Sequence, residues 1–204
     1  MTIPNMLTIF RILLTPVFIL LLFHEDPTAK FWALVVFIVA SITDAYDGYY
    51  ARKYDQVTEQ GKFLDPLADK ILVSSAFISF AMIGLIDYWM VALIIFRDLF
   101  ITGLRMLMNR KGFEMVTSNI AKLKTGAQLG IIIFILSYIG FEPLKLKVLL
   151  PIIHFISDFQ LIYGFTFFIT LFTIFTGLNY LYENRIAIQK VTVFTALNMI
   201  DKII

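Results

Sequence analysis

Long, uninterrupted apolar runs constrain this chain more than any other feature. A helix needs about 20 apolar residues to cross the roughly 30 Å hydrocarbon core of a bilayer. Six such runs fit between short polar connections, at residues 3–23, 31–50, 66–86, 88–108, 123–141 and within 148–182. They use nearly all of the 204 residues. We therefore expect an all-α polytopic integral membrane protein with six transmembrane helices and no separate soluble domain.

Composition agrees with this prediction. Charged residues make up 16% of the chain, against about 25% in soluble domains, and the mean hydropathy is +0.84. A transmembrane β-barrel would show alternating segments of about ten residues, whereas these runs are continuous in Phe, Ile and Leu. The first run has neither the basic start nor the small-residue cleavage site of a signal peptide, so we interpret it as a retained helix that bends near Pro16.

Basic residues are divided unevenly between the connections, which predicts the orientation. With six spans, one side carries only Lys30, Lys145 and Lys147. The other side carries Arg52, Lys53, Lys62, Arg105, Arg110, Lys111, Lys122, Lys124, Arg185, Lys190 and Lys202. The positive-inside rule places both termini on the cytosolic side of the inner (plasma) membrane. Residues 183–204 are too polar at their start for another span and fit an interfacial tail, which leaves residues 1–182 as the membrane domain.

Four carboxylates stand between the second and third runs, in the stretch "DAYDGYYARKYDQVTEQGKFLDPLAD". If the second run continues as a helix, Asp44, Asp47, Gly48 and Ala51 occupy positions i, i+3, i+4 and i+7 and share one face. Gly48 and Ala51 either pack against another helix or leave a hollow in which a ligand approaches the backbone. The flanking acids favour a ligand.

The second acidic pair lies at the start of the third run. Asp65 and Asp69 are spaced i, i+4, and Asp65 before Pro66 is typical of an N-cap followed by a first helical residue. Ionised groups at mid-depth cost about 2.5–3.5 kcal/mol each, so cations must offset the four carboxylates. The candidates are Arg52, Lys62, Lys70 and divalent metal ions.

Oxygen ligands with no His or Cys nearby favour Mg²⁺ or Mn²⁺. Two acids from each of two helices are suited to a pair of ions about 4 Å apart, the arrangement used in phosphoryl displacement. The active site is then expected at the cytosolic end of the helices.

The complete pattern is similar to a family signature. Asp44-x2-Asp47-Gly48-x2-Ala51-Arg52-x8-Gly61-x3-Asp65-x3-Asp69 resembles the motif of the CDP-alcohol phosphatidyltransferases at every fixed position. Four further stretches, "IPNMLTIFRILLTP", "RDLFITGLRMLMNRKG", "AKLKTGAQ" and "TIFTGLNYL", resemble the family members that transfer a phosphatidyl group from CDP-diacylglycerol to glycerol 3-phosphate.

The resemblance implies a role for each residue of the motif. Asp44, Asp47, Asp65 and Asp69 would hold two Mg²⁺ or Mn²⁺ ions, and Asp69 would also be the general base that takes the proton of the acceptor hydroxyl. The nucleotide-binding residues would be Asp44, Asp47, Gly48, Ala51, Arg52 and Gly61. The resemblance also implies a homodimer.

An acceptor that carries its own phosphate needs a second basic pocket. Our candidates are Arg105, Arg110, Lys122 and Lys124, because Arg suits bidentate phosphate contacts; the same residues are also explained by topology alone. Arg97 and Asp98 are expected to form a structural pair, although Asp98, Thr102 and Arg105 share a face that reaches the site in an alternative interpretation.

Three other functions share part of this pattern. The same family includes enzymes with serine, inositol phosphate or phosphatidylglycerol as acceptor. A membrane prenyltransferase also presents Asp-rich motifs, but needs more helices and lacks the Gly-x2-Ala-Arg continuation. An ion-coupled transporter would place acids on an ion path with broken helices in repeated halves, and the sequence shows neither feature.

Overall fold

Helices account for all the regular secondary structure that the computed structural model of this protein describes. The model describes residues 3–53, 59–113, 115, 119–144, 146–189 and 191. The helices are α1 (Ile3–Leu22), α2 (Pro27–Lys53), α3 (Glu59–Met82), α4 (Tyr88–Arg110), α5 (Asn119–Phe141), α6 (Leu150–Asp158) and α7 (Leu161–Glu183), and residues 185–189 are also helical. A single 3₁₀ turn, Glu142–Leu144, follows α5. The predicted all-α class is confirmed over these ranges.

Each of the six predicted apolar runs contains one long helix, and the last run is divided. Gln160 adopts the left-handed conformation, with φ 48°, and separates the short α6 from α7. Three of the described helical segments are long and apolar enough to cross a membrane, namely Pro27–Asp44, Leu123–Leu144 and Leu161–Glu183. Met6–Leu22 is a shorter apolar helical stretch. The protein is therefore a membrane protein, and the full count of six spans stays a prediction.

Six of the helices form a closed ring. In order around the ring, each helix packs against the next: α1, α2, α5, α7, α4, α3 and back to α1. A weaker contact joins α3 to α5 across the ring, and α6 packs on α7. The interior of the ring is therefore lined by helices that lie far apart in the sequence, such as α1 and α3 or α4 and α7.

The outer surface of the ring is strongly apolar. Large hydrophobic side chains are exposed on several helices, including Leu20, Phe96, Phe168 and Phe175. A soluble monomer rarely exposes contiguous apolar area on this scale. The acyl chains of a bilayer are the natural solvent for such a surface, which agrees with the apolar runs in the sequence.

Close backbone approach joins α5 to α2 in the core. Phe18 of α1 and Phe37 of α2 are fully buried, with their rings 5.6 Å apart. A Cβ atom added to Gly140 of α5 would lie 3.3 Å from the Cα atom of Phe31. Glycine at position 140 therefore sets how closely α5 packs on α2.

Local capping explains where α2 begins. The Asp26 carboxylate accepts hydrogen bonds of 2.8 Å from both the backbone N–H and the hydroxyl of Thr28. These bonds lower the pKa of Asp26 below its usual value, with the backbone bond as the largest cause. Pro27 follows at the first helical position, where its missing N–H removes no intrahelical bond.

Candidate active site

The first acidic pair lies on a continuous helix, as the periodicity predicts. α2 runs through Asp44 to Lys53, so positions 44, 47, 48 and 51 share one face of that helix. The side chains of Asp47, Gly48, Ala51 and Arg52 are outside the described part of the structure.

Asp44 is held by a cation that the sequence reasoning did not include. Its carboxylate forms an ion pair with Arg11 of α1. The Arg11 side chain is fully buried, whereas the Asp44 side chain is 37% exposed. The carboxylate is thus held by α1, and part of the side chain stays exposed. The sequence feature that indicates this ion pair is the single arginine within the first apolar run.

The predicted start of the third helix was wrong. α3 begins at Glu59, so Asp65 is not an N-cap and Gly61 is not in a loop. A proline inside a helix removes one hydrogen bond, and membrane helices tolerate this loss because neighbouring groups satisfy the freed carbonyl. Within one helix, Gly61, Asp65 and Asp69 stand at i, i+4 and i+8, so all three share a face. The side chains of Gly61 and Asp65 are outside the described part.

Asp69 also has a cationic neighbour. Its Oδ2 atom lies 2.8 Å from the Nζ atom of Lys70, and its side chain is 22% exposed. Of the cations predicted to offset the acidic cluster, Lys70 pairs with Asp69. Asp69 keeps enough exposure to reach a ligand.

Asp44 and Asp69 lie at matching depth along their helices. Asp44 is nine residues before the end of α2, and Asp69 is ten residues after the start of α3. At 1.5 Å per residue, both are about 14–15 Å from the helix ends that face the same connection. α1 packs against both helices. Asp44 and Asp69 are therefore at similar distances, counted along their helices, from the connection between α2 and α3.

The oxygen donors of this site fit a hard divalent cation. Asp44 and Asp69 each keep part of their surface exposed, and carboxylate oxygen is the preferred ligand of Mg²⁺. Among the side chains that the structure describes, no three acidic or histidine groups come together. Asp47 and Asp65, the two other predicted ligands, are not among those side chains.

A second charged cluster fills the interior of the ring next to this site. The Oδ1 atom of Asp98 on α4 pairs with the Nζ atom of Lys124 on α5 and lies 3.1 Å from the Nη1 atom of Arg97. Asp98 and Lys124 are 3% and 1% exposed. The predicted Arg97–Asp98 pair is therefore confirmed, and Lys124 joins it. Lys70 is also within electrostatic range of Asp98 and Arg97, so this cluster adjoins Asp69.

The last helix of the ring closes this cluster. Arg97 Nη2 donates a hydrogen bond of 3.1 Å to the hydroxyl oxygen of Thr176 on α7. Two turns further along α4, Arg105 Nε donates to the Tyr180 hydroxyl at 3.3 Å, and its guanidinium lies 5.5 Å from the Tyr180 ring centre. The sequence did not indicate Thr176 or Tyr180, because helical periodicity does not show which residues of another helix a side chain contacts.

The four candidates for the acceptor pocket have different environments. Lys124 is buried against Asp98, Arg105 is half-buried against Tyr180, and Arg110 is exposed at the end of α4. The side chain of Lys122 is outside the described part. The structure therefore brings Lys124 and Arg105 into the ring interior but does not bring Arg110 there.

The geometry defines a class of protein. It is an all-helical membrane protein with partly exposed carboxylates on two helices of the ring, and a buried charged cluster adjoins one of them. Every helix of the ring contributes a charged or polar side chain, through Arg11, Asp44, Asp69, Asp98, Lys124 and Thr176.

Comparison with known proteins identifies the family. The family model for CDP-alcohol phosphatidyltransferase matches residues 1–169. The chain therefore belongs to the CDP-alcohol phosphatidyltransferase family, as its motif indicated.

Several relatives in that family share a name. The chain is 41% identical over 138 residues to the CDP-diacylglycerol–glycerol-3-phosphate 3-phosphatidyltransferase of Bacillus subtilis (strain 168), covering 62% of this chain and 72% of the relative. It is 38% identical over 167 residues to the protein of the same name in Rickettsia typhi, covering 81% and 94%. A probable phosphatidylglycerophosphate synthase of Mycobacterium tuberculosis (strain H37Rv) is 41% identical over 127 residues, covering 61% and 60%.

Proposed function

We propose that this protein transfers the phosphatidyl group of CDP-diacylglycerol to glycerol 3-phosphate, giving phosphatidylglycerophosphate and CMP. The proposal is supported by the names of the relatives and by one structural observation. Asp44 and Asp69, two acids of the family motif, lie at matching depth on α2 and α3 with part of each carboxylate exposed. A water-soluble acceptor and a lipid headgroup can both reach such a level from the helix ends.

The proposed reaction is a direct displacement. The acceptor hydroxyl oxygen forms a bond to the phosphorus atom of the phosphatidyl group, and the bond from that phosphorus to the CMP phosphate oxygen breaks. CMP leaves with the electron pair, and Asp69 takes the hydroxyl proton as general base. Lys70, 2.8 Å from the Asp69 carboxylate, holds its orientation. No protein nucleophile is needed.

The carboxylates of Asp44, Asp47, Asp65 and Asp69 would hold two Mg²⁺ or Mn²⁺ ions. When bound, the metal would supply charge stabilisation on the phosphate oxygens and the leaving group. Arg11 pairs with Asp44 from the buried side, and the Asp44 side chain stays 37% exposed, which supports its proposed role as a metal ligand.

The remaining motif residues form the proposed nucleotide site. Gly48, Ala51, Arg52 and Gly61 lie on α2 and α3 within three turns of Asp44 or Asp69 along the helices. The shared helical face of positions 44, 47, 48 and 51 supports a common ligand.

The acceptor phosphate is proposed to bind on the side of α4 and α5. Arg105, Arg110, Lys122 and Lys124 remain its proposed ligands. Lys124 has the stronger support, because it pairs with Asp98 in the buried cluster that adjoins Asp69, and Arg105 is half-buried against Tyr180 of α7.

The proposed topology follows the charge distribution. All six ring helices would cross the inner (plasma) membrane, with both termini and the site on the cytosolic side. The excess of Lys and Arg on the connections at that side supports this arrangement. Residues 183–204 would form an interfacial tail on the membrane domain 1–182, and the enzyme would act as a homodimer.

A product assay tests the function. Purified protein is given CDP-diacylglycerol with glycerol 3-phosphate, serine, inositol phosphate or phosphatidylglycerol in separate reactions, and CMP release is measured. We expect turnover with glycerol 3-phosphate. Preference for another acceptor would overturn the proposed substrate, and no CMP release with any acceptor would overturn the reaction.

Two variants separate the proposed roles of the acids. Asp69→Asn is expected to abolish CMP release while CDP-diacylglycerol still binds. Asp44→Asn is expected to lose metal-dependent binding as well. Near-normal turnover by Asp69→Asn would contradict its role as base.

A further inference from the structure

Arg97 of α4 packs closely on α7 at Gly177. A Cβ atom added to Gly177 would lie 3.0 Å from Arg97 Cγ and 3.2 Å from Arg97 Nε. Any side chain at position 177 would therefore displace the arginine. Gly177 is buried and stands in the "TGLNY" stretch, to which the proposed function gives no role.

Arg97 is held in this position by two further contacts. Its Nη2 atom donates to the Thr176 hydroxyl at 3.1 Å, while its Nη1 atom lies 3.1 Å from Asp98 Oδ1. The Thr176 hydroxyl itself donates to the carbonyl of Thr173 at 2.9 Å, which leaves its oxygen lone pairs for the guanidinium. The guanidinium is thus fixed between α7 and the carboxylate.

Moving Arg97 would alter Lys124 as well. Asp98 Oδ1 accepts from both Arg97 and Lys124, so a shift of the guanidinium changes how the carboxylate holds the ammonium. Both cations are almost removed from water, with side chains 14% and 2% exposed. Salt screens the charges of such a buried site only weakly. Small displacements of either cation therefore change the electrostatic potential there strongly.

The cluster has an excess of positive charge. Lys70, Arg97 and Lys124 act on Asp98, and Lys70 also pairs with Asp69, so among the side chains that the structure describes here three positive charges face two negative ones. Arg97 Nε is buried and has no hydrogen-bond partner among the described residues. A phosphate group would balance the charge and accept from such a donor.

We propose that Gly177 and Thr176 of α7 are positioning residues that set Arg97, and through Asp98 also Lys124, for binding the acceptor phosphate. The inference rests on the proposed function for the identity of the acceptor. It adds a specificity-determining role for α7, outside the acidic motif.

The test is substitution at the contact with a control on the same helix. Gly177→Ala fills the space occupied by Arg97. Gly164→Ala, also in α7, adds a methyl group where no other heavy atom lies within 4 Å. We expect Gly177→Ala to raise KM for glycerol 3-phosphate about tenfold, the worth of one hydrogen bond to a charged group. KM for CDP-diacylglycerol should stay within about twofold. A rise in KM for glycerol 3-phosphate alone is expected when a contact that binds only this substrate is lost. Gly164→Ala should resemble wild type.

Two further variants distinguish a loss of Arg97 positioning from misfolding. Thr176→Val keeps the shape of the side chain and removes the hydroxyl, and should raise the same KM. Arg97→Ala removes the Cγ, Cδ and Nε atoms that would crowd a side chain at position 177, so Arg97→Ala with Gly177→Ala should be no worse than Arg97→Ala alone. An unchanged KM in Gly177→Ala and Thr176→Val, equal rises for both substrates, or additive effects in the double variant would overturn the proposal.

A binding measurement separates this inference from the proposed reaction. Inorganic phosphate is added to protein in detergent without CDP-diacylglycerol, and the rise in thermal unfolding midpoint is recorded. The rise should be present in wild type and Gly164→Ala and lost in Gly177→Ala and Thr176→Val. No rise in wild type, or an equal rise in all four proteins, overturns the inference. If the rise follows the expected pattern but wild type does not use glycerol 3-phosphate, only the proposed acceptor is wrong.

Discussion

Asp98→Asn is the substitution with the largest expected effect on stability. Asp98 is 3% exposed, and its Oδ1 atom faces both Arg97 and Lys124. Asparagine keeps the shape of the side chain but removes the negative charge from between two cations. Breaking a buried ion pair from one side costs about 3–5 kcal/mol, because the remaining charge is left without compensation.

Asp87→Asn is the matched control. Asp87 also connects α4 to α7, since its Oδ2 atom accepts from Trp89 Nε1 at 3.0 Å and from the Tyr163 hydroxyl at 3.1 Å. These donors are neutral and the site is exposed, and an asparagine oxygen can still accept from them. The expected loss is about 1 kcal/mol or less.

The assay is reversible unfolding in mixed micelles with increasing denaturing detergent, followed by circular dichroism. The free energy of unfolding of Asp98→Asn should fall below that of Asp87→Asn by about 2 kcal/mol or more. Asp98→Asn combined with Lys124→Met removes charges of both signs and should recover part of the loss, because replacing both members of a buried pair is often nearly neutral. Equal stabilities of Asp98→Asn and Asp87→Asn, or no recovery in the double variant, would refute the view of Asp98 as the counter-ion of the cluster.

Two other perturbations have defined outcomes. Gly140→Val places a side chain 3.3 Å from the Phe31 Cα atom and should destabilise the protein by about 1–3 kcal/mol through overpacking, measured in the same unfolding assay. Gly130→Val, where an added Cβ would meet no heavy atom of another residue within 4 Å apart from its own helix backbone, should cause no such loss. Equal losses in the two variants would contradict the close contact of α5 with α2. Removal of divalent cations with a chelator should stop CMP release, and addition of Mg²⁺ or Mn²⁺ should restore it, because carboxylate oxygens bind such ions. Full activity in the presence of chelator would contradict the proposed metal site.

The sequence alone determined the helices and the local pattern of the motif. The apolar runs predicted α1, α2, α4 and α5 closely, because backbone groups in lipid must be satisfied within the helix. The faces shared by positions 44, 47, 48 and 51 and by positions 65 and 69 follow from the helical period alone. The motif also predicted the family, which the comparison confirmed.

Sequence rules for helix ends gave the wrong boundary for α3 and missed the break in the last apolar run. Asp65-Pro66 is typical of a helix start, yet α3 begins at Glu59. The last apolar run was continuous in composition, but Gln160 with φ 48° divides it. A start signal and an apolar run each describe a few neighbouring residues, whereas the helix boundary depends on packing as well.

Tertiary structure alone decided which charges meet. Arg11 pairs with Asp44, Lys124 with Asp98, and Arg97 with Thr176 across 79 positions of the chain. Helical periodicity fixes the face on which a residue lies but not the helix that this face contacts. Because a buried charge is stable only beside its partner, the order of helices around the ring, and not the order of residues in the chain, determines the electrostatics of the site.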